Sequence, residues 1–191
     1  MEHIGTRPID TPRTLLRRIT PADAEDMFGN WANDPEVTRY LTWRPHGSIE
    51  VTRQVIALWQ QENGSPDRYH WCIEWKENRA VIGTIGVVLL DAAHNAAEVG
   101  YCLSRRYWGR GIMTEALTAV ENYLFGQAGF DRLEAHHDIR NPASGRVMFK
   151  SGMRLEEIRP AGRIGPDGRR SDLVCYALRR EQWERAGRNR H

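Results

Sequence analysis

The sequence predicts a single α/β domain in which a mixed sheet carries helices on both faces. Three observations lead there. Its 191 residues, 40% hydrophobic and 27% charged, match one ordinary globular domain. The apolar pattern runs strands first and then strand, helix, strand, helix, the order expected of a mixed sheet with crossover helices. No internal repeat, low-complexity tract or linker divides the chain into two cores.

Each element follows from a local signal. Residues 1–12 read as a loose lead-in, and Thr14 to Ile19 as a short strand. Thr20-Pro21-Ala22-Asp23 combines an N-cap, a first-turn proline and an acidic residue, so a helix is expected from there to about Ala32. Asp34-Pro35-Glu36 repeats that signal for a short helix through Leu41. Ser48 caps a third helix, whose Val51, Val55, Leu58 and Trp59 recur at helical spacing until Gly64. From Tyr69 the period becomes two: Trp71, Ile73 and Trp75, a turn over Lys76 to Arg79, and a second apolar run from Ala80 to Leu90 make a hairpin. A loop around His94 and Asn95 leads to a strand over Glu98 to Ser104, then a helix from near Gly109 to about Gly126 with Met113, Ala116, Leu117, Val120 and Leu124 in one stripe. A strand over Arg132 to Ile139, a helix from Asn141-Pro142 to Gly152, an arginine- and glycine-containing loop over Arg159 to Arg170 and a strand over Ser171 to Leu178 complete the series.

Composition excludes several classes. No stretch approaches the roughly 20 apolar residues of a membrane helix, and Met1 to Arg13 has no apolar signal core, so a chain that stays in the cytoplasm and off the membrane is expected. Cys72, Cys102 and Cys175 are far apart in apolar runs and form no metal or redox pattern; they read as buried residues of a reducing compartment, and no metal site is expected. A net charge of +2 is too small for a general nucleic-acid footprint, so no specific nucleic-acid partner is expected. His136 and His137 are adjacent in a strand and point to opposite faces, which prevents joint chelation and suggests one surface and one semi-buried ring.

The sharpest local feature is Arg106-Tyr107-Trp108-Gly109-Arg110-Gly111, between a strand and a long helix. Two glycines permit a tight turn with outward amides, and the helix N-terminus adds partial positive charge, so main-chain donors could hold a phosphate. No Gly-Lys-Ser/Thr follows and no third glycine sits at the dinucleotide offset. The bare pattern leaves phosphate binding and a purely structural turn equally open.

Arg106-x-x-Gly109-x-Gly111, placed after Glu98 to Ser104 and before Met113-Thr114-Glu115-Ala116-Leu117, resembles the acetyl-coenzyme A loop of GCN5-related N-acetyltransferases. Thr14 to Arg17, Thr20 to Asp23, Ile82-Gly83-Thr84-Ile85-Gly86, Asn141-Pro142-Ala143-Ser144 and Lys150-Ser151-Gly152-Met153 are similar to its branch of ribosomal-protein N-terminal acetyltransferases. The resemblance covers about residues 14–178 and implies one N-acetyltransferase domain over 1–191, with a basic tail over 179–191. It implies a mostly antiparallel sheet splayed around acetyl-CoA. Amides from about Arg106 to Gly111, those of Trp108, Gly109 and Arg110 among them, would take the pyrophosphate, Thr114 in the first turn would donate a hydroxyl, and Ile112 and Met113 belong to the same coenzyme-binding stretch. Main-chain groups of Tyr101, Cys102 and Leu103 would hold the pantetheine arm and the thioester oxygen, and the Asn141 side chain would contact the coenzyme or cap its helix.

The implied chemistry is direct attack of a neutral amine on a thioester, with a proton delivered to the departing thiolate. Glu98, opening the strand beside the coenzyme, is the candidate base or else a solvated edge carboxylate. Phe149 stands where many members carry a tyrosine acid, which leaves Ser144 as the replacement candidate, by orienting or relaying a proton. At pH 7 about a tenth of an α-amine with pKa near 8 is free, against about 0.04% of a lysine near 10.4. An α-amine therefore demands less of the protein, and the expected acceptor is a protein or peptide N-terminus. The alternatives are a small amine, such as an antibiotic, polyamine or amino acid, and a non-catalytic coenzyme-binding module. Trp31, Trp43 and Trp59 either line the acceptor slot or pack the core. The arginines of the Arg159 to Arg170 loop and of the tail either meet an acidic or ribosomal surface or belong to a solvated loop and a frayed end. Edge strands and the final loop leave room for a homodimer.

Overall fold

The computed structural model describes residues 3–165 and 168–188. Among them eight strands form one sheet in the order β1-β2-β3-β4-β5-β6-β8-β7. The strands are β1 (Ile9–Asp10), β2 (Thr14–Arg17), β3 (His70–Trp75), β4 (Val81–Asp91), β5 (Ala96–Leu103), β6 (Arg132–Asp138), β7 (Arg154–Ile164) and β8 (Arg170–Arg179). Every neighbouring pair is antiparallel except β5 and β6, whose parallel pairing covers only Ala96 to Glu98 against Arg132 to Glu134. The helices are α1 (Ala24–Met27), α2 (Pro35–Thr38), α3 (Ile49–Glu62), α4 (Ile112–Gly126), α5 (Pro142–Ser151) and α6 (Arg180–Arg188).

Two apolar cores lie on the two faces of the sheet. Leu16, Trp71, Ile73, Val99 and Leu133 pack against Leu117, Val120, Leu124 and Phe125 of α4 and Met148 of α5. On the other face Met27, Trp31 and Ile56 close over Cys72, Val81 and Cys102. The period-two pattern of β5 sorts its side chains accordingly: Ala97, Val99, Tyr101 and Leu103 face α4, while Cys102 faces the α1–α3 layer. Glu98 and Gly100 share the Cys102 face by that alternation.

The structure departs from expectation at four places. The helix expected from Pro21 to Ala32 is a 3-10 turn, the single turn of α1 and a wide π turn over Phe28–Ala32. Arg159 to Ile164 is no loop but part of β7, which forms a long hairpin with β8. The tail is ordered through α6: Trp183 stacks on Phe125 at 5.5 Å, its Nε1 donates to Asn122 Oδ1 at 2.7 Å, and Arg180 donates to the Phe125 carbonyl at 2.9 Å. Part of the lead-in is β1, paired to β2. Three cysteines are free and buried, as expected. Among the described residues no helix is long and apolar enough to cross a membrane.

Candidate active site

The short pairing of β5 with β6 opens a split in the sheet directly after Glu98 and Glu134. Beyond it β5 remains bonded to β4 on one side only. Ser104 N–H donates to the Ile82 carbonyl at 2.7 Å, and alternation along the strand turns the main-chain groups of Val99, Tyr101 and Leu103 toward the split, with Cys102 turned toward β4. Trp108 Nε1 donates to the Leu103 carbonyl at 2.7 Å, which ties the glycine loop to the end of β5.

Below the split, Gly109 and Gly111 both adopt φ near +74°, a left-handed backbone that residues with a Cβ enter at a cost. Gly111 is also the N-cap of α4, so the unpaired amides of that helix face outward from the loop. The resulting concavity of amides at a helix N-terminus fits a pyrophosphate. A latch from the start of the chain fixes it: Glu115, in the first turn of α4, accepts from Thr11 Oγ1 at 2.8 Å, Arg13 N at 2.9 Å and Arg13 Nε at 2.7 Å, while Arg13 Nη1 donates to the Arg110 carbonyl at 2.9 Å. Burial pushes the Glu115 carboxyl up, but these donors and the guanidinium charge outweigh it and hold the group below its usual value.

A cleft of about 470 Å³ extends from the loop along the split. Tyr101, Cys102, Leu103, Trp108, Gly109, Gly111, Ile112, Met113, Thr114, Asn141 and Ser144 all line it. Arg106 and Arg110 do not; both are exposed, and Arg110 lies over the Tyr107 ring at 5.4 Å. Asn141 makes no side-chain cap bond, so its amide is left to the cleft rather than to its own helix. Sequence reasoning missed Arg146 and Lys150, which line the cleft from successive turns of α5; a basic pair four residues apart on the helix after Asn141-Pro142 was the available signal. It also missed the opposite wall, built by Val37 of α2 and by Tyr40 and Leu41 just after it. The β7–β8 hairpin supports that wall, since Arg163 Nη2 donates to the Tyr40 carbonyl, and Arg140, between β6 and α5, lies over the Tyr40 ring at 5.9 Å. The tryptophans do not build it: Trp31 is fully buried, and Trp43 and Trp59 pack against the second core.

Two hydroxyls meet in the cleft. Tyr101 Oη lies 2.9 Å from Ser144 Oγ and 3.1 Å from the Ser144 carbonyl, and burial raises the phenol well above its ordinary value. Phe149 is 61% exposed, has Arg154 over its ring at 5.8 Å and does not line the cleft. The hydroxyl pair in the cleft is that of Tyr101 and Ser144. The Cys102 thiol, buried on the opposite face of β5, is pushed up to about 12 by desolvation and stays protonated at neutral pH.

Glu98 does not line the cleft. It stands at the fork, the last residue of β5 paired to β6, on the face shared with Cys102. His136 Nδ1 lies 3.2 Å from its Oε1, and the His136 side chain is only 12% exposed, so neither histidine of the pair is the expected surface one. His137 is buried on the other face, its ring over Gly145, where a Cβ would lie 2.5 Å from Nε2.

A split parallel pair, an amide-lined glycine loop opening α4 and a cleft joining them define a coenzyme A-dependent acyl transferase fold. The chain belongs to the GNAT acetyltransferases: the family description "Acetyltransferase (GNAT) domain" matches residues 13–154. It is 36% identical over 154 residues to the "Uncharacterized N-acetyltransferase YoaA" of Bacillus subtilis, across 78% of this chain and 84% of that one. It is 22% identical over 183 residues to the Escherichia coli [ribosomal protein uS5]-alanine N-acetyltransferase, across 92% of each. Among solved structures, the ribosomal-protein-S5-alanine acetyltransferase of Vibrio fischeri matches with a TM-score of 0.81 at 20% identity, covering 93% of this chain and 98% of that one. The protein is thus an acetyl-CoA-dependent N-acetyltransferase.

Proposed function

We propose that the acceptor is the N-terminal α-amine of a protein or peptide, attacked directly in a ternary complex with Glu98 as the base. The observation that carries this reading is the position of Glu98 on an open sheet face. α1 and the turn after it pack on β4, but Val88 and Leu89 further along β4 are 63% and 61% exposed, and Leu89 is the register partner of Glu98. The approach to the carboxylate is therefore a broad surface with an apolar flank, suited to the end of a chain with its first side chain. Similarity to the ribosomal-protein acetyltransferases supports the same reading.

The coenzyme supplies an activated thioester, and the residues around the split supply its surroundings. Amides from Gly109 to Thr114 hold the pyrophosphate, Arg146 and Lys150 add positive charge along the cleft, and main-chain donors of β5 face the thioester oxygen. Ser144, backed by the Tyr101 hydroxyl, donates toward the departing sulfur. A Cys102 thiol held protonated favours direct attack over transfer through an acyl-cysteine. Glu98 takes the ammonium proton, a light task when about a tenth of the amine is already free at pH 7.

Coenzyme release from acetyl-CoA, measured with one pool of short peptides of varied first residue and one of small amines, tests the reading, with mass spectrometry locating the acetyl group. Acetyl at peptide N-termini supports it. Acetyl on small amines alone, or on lysine side chains alone, overturns it.

A further inference from the structure

We propose that His136 is a positioning residue of acetyl transfer, which, with its Nε2–H turned to Glu134 and its Nδ1 lone pair turned to Glu98, takes up the proton that Glu98 removes from the incoming ammonium. The inference rests on the assignment of Glu98 as base.

The geometry follows from the register of β5 and β6. Glu98 and Glu134 are register partners on neighbouring strands, so their carboxylates stand side by side on one face. Two like charges there repel unless something lies between them. His136, two residues along from Glu134 on the same face, fills that place: Nδ1 is 3.2 Å from Glu98 Oε1 and Nε2 is 3.9 Å from Glu134 Oε2. The side chains are 12% exposed for His136, 27% for Glu98 and 31% for Glu134, so the ring is covered while both acids keep an edge in water. Glu134 is shared with Arg132, whose Nε lies 2.7 Å from Oε1 and whose Nη2 pairs with Glu156. On the far side the register places Cys175 of β8 opposite His136, and Glu157 and Arg159 of β7, paired at 2.6 Å, lie beyond it. Burial keeps the Cys175 thiol protonated, so the charge facing the ring is carried by Glu98 and Glu134.

This arrangement lets a proton move without leaving a bare charge. The ammonium N–H bond breaks as its proton passes to Glu98. The proton then reaches the Nδ1 lone pair of a neutral His136, leaving Glu98 anionic and an imidazolium between two carboxylates, a favourable juxtaposition at these separations. The ring gives a proton to solvent and returns to the neutral form. The freed amine forms the C–N bond as the C–S bond breaks, and its second proton ends on the thiolate sulfur. A residue that only packed the strand would have no part in the first of these proton transfers.

That difference sets the experiment. His136→Ala, His136→Asn and Glu98→Gln are compared with the unaltered enzyme in full-length form, with the amine the enzyme acetylates best, at pH 7 and pH 9. For an α-amine the loss of kcat/KM in His136→Ala is expected to be several-fold at pH 7, bounded near the tenfold set by the free fraction, and to shrink to within twofold at pH 9. The KM for acetyl-CoA stays unchanged. His136→Asn, whose amide can still contact Glu98 but cannot carry a proton, is expected to keep the acceptor KM and show the same pH-dependent loss in kcat. A loss equal at both pH values, or no loss in either His136 variant while Glu98→Gln is slow, overturns the inference alone. Unchanged activity of Glu98→Gln at pH 7 overturns the base assignment and this inference with it.

Discussion

Glu115 offers the most quantitative test of how the coenzyme loop is held. Its carboxylate, 16% exposed, takes three hydrogen bonds from Thr11 and Arg13, and Arg13 in turn holds the Arg110 carbonyl. Hydrogen bonds to a charged group each contribute about 1.5–3 kcal/mol. The sum must be discounted, because Arg13 is 41% exposed and regains water when released, and Thr11 keeps the Thr14 carbonyl as an acceptor at 2.8 Å. A net loss of about 2 kcal/mol is expected for Glu115→Ala, which for a domain of this size lowers Tm by about 4–8 °C. Because the released segment includes the turn between Gly109 and Gly111, the KM for acetyl-CoA should rise several-fold while the acceptor KM changes little. The folded carboxyl lies below its unfolded value, so this stabilisation is present above the unfolded value near 4.5 and is lost as the pH falls through the folded one. Thermal melts of the two proteins should therefore converge in acid. A lowered Tm with an unchanged acetyl-CoA KM would refute the idea that the latch shapes the loop.

Further outcomes follow from the site. Gly109→Glu, which forces a side chain into a φ of +74° and sets an anion beside the phosphate donors, is expected to weaken acetyl-CoA binding at least tenfold by calorimetry without unfolding the domain. Ser144→Ala should lower kcat more than either KM, and Tyr101→Phe should do so less, since the phenol acts through Ser144; equal KM and kcat effects would point to packing instead. Trp183→Ala removes the stack on Phe125 and the bond to Asn122, and is expected to destabilise by about 2 kcal/mol in a denaturant melt while leaving kcat near its original value.

The parts of the fold that bury one face were legible, because burial leaves a period. β3 is legible from the alternation of Trp71, Ile73 and Trp75, β4 from an apolar run whose first six residues are all buried, and α4 from its stripe. β7 was not: it is exposed along nearly its whole length, so nothing in Arg154 to Ile164 alternates, and its arginines and glycine read as loop. α6 was hidden for a related reason, since Trp183 is the large apolar anchor in a run of charged residues. The cleft residues of the loop, and Asn141 and Ser144 at the start of α5, are legible because a turn and a helix start have local signatures, whereas Arg146 and Lys150 further along α5 carry neither. Glu115 was passed over because its partners lie more than 100 positions earlier. The pairing of Glu98 with His136 depends on which strands are neighbours and in what register, which alternation within one strand does not contain. Alternation gave the two histidines opposite faces and could say nothing of what each face meets.

In the proposed reading, acetyl-CoA lies in the split between β5 and β6 with its phosphates on the loop opening α4. Residue-resolved amide hydrogen exchange with and without acetyl-CoA tests it most directly. Added protection is expected at Val99, Tyr101 and Leu103, whose main-chain groups face the split, and across Gly109 to Thr114, with little change in α6. Protection confined to a second cavity, lined by Asn122 of α4, Ser151 of α5 and Gln182 of α6, or absent from the odd-numbered amides of β5 under saturating coenzyme, would contradict it.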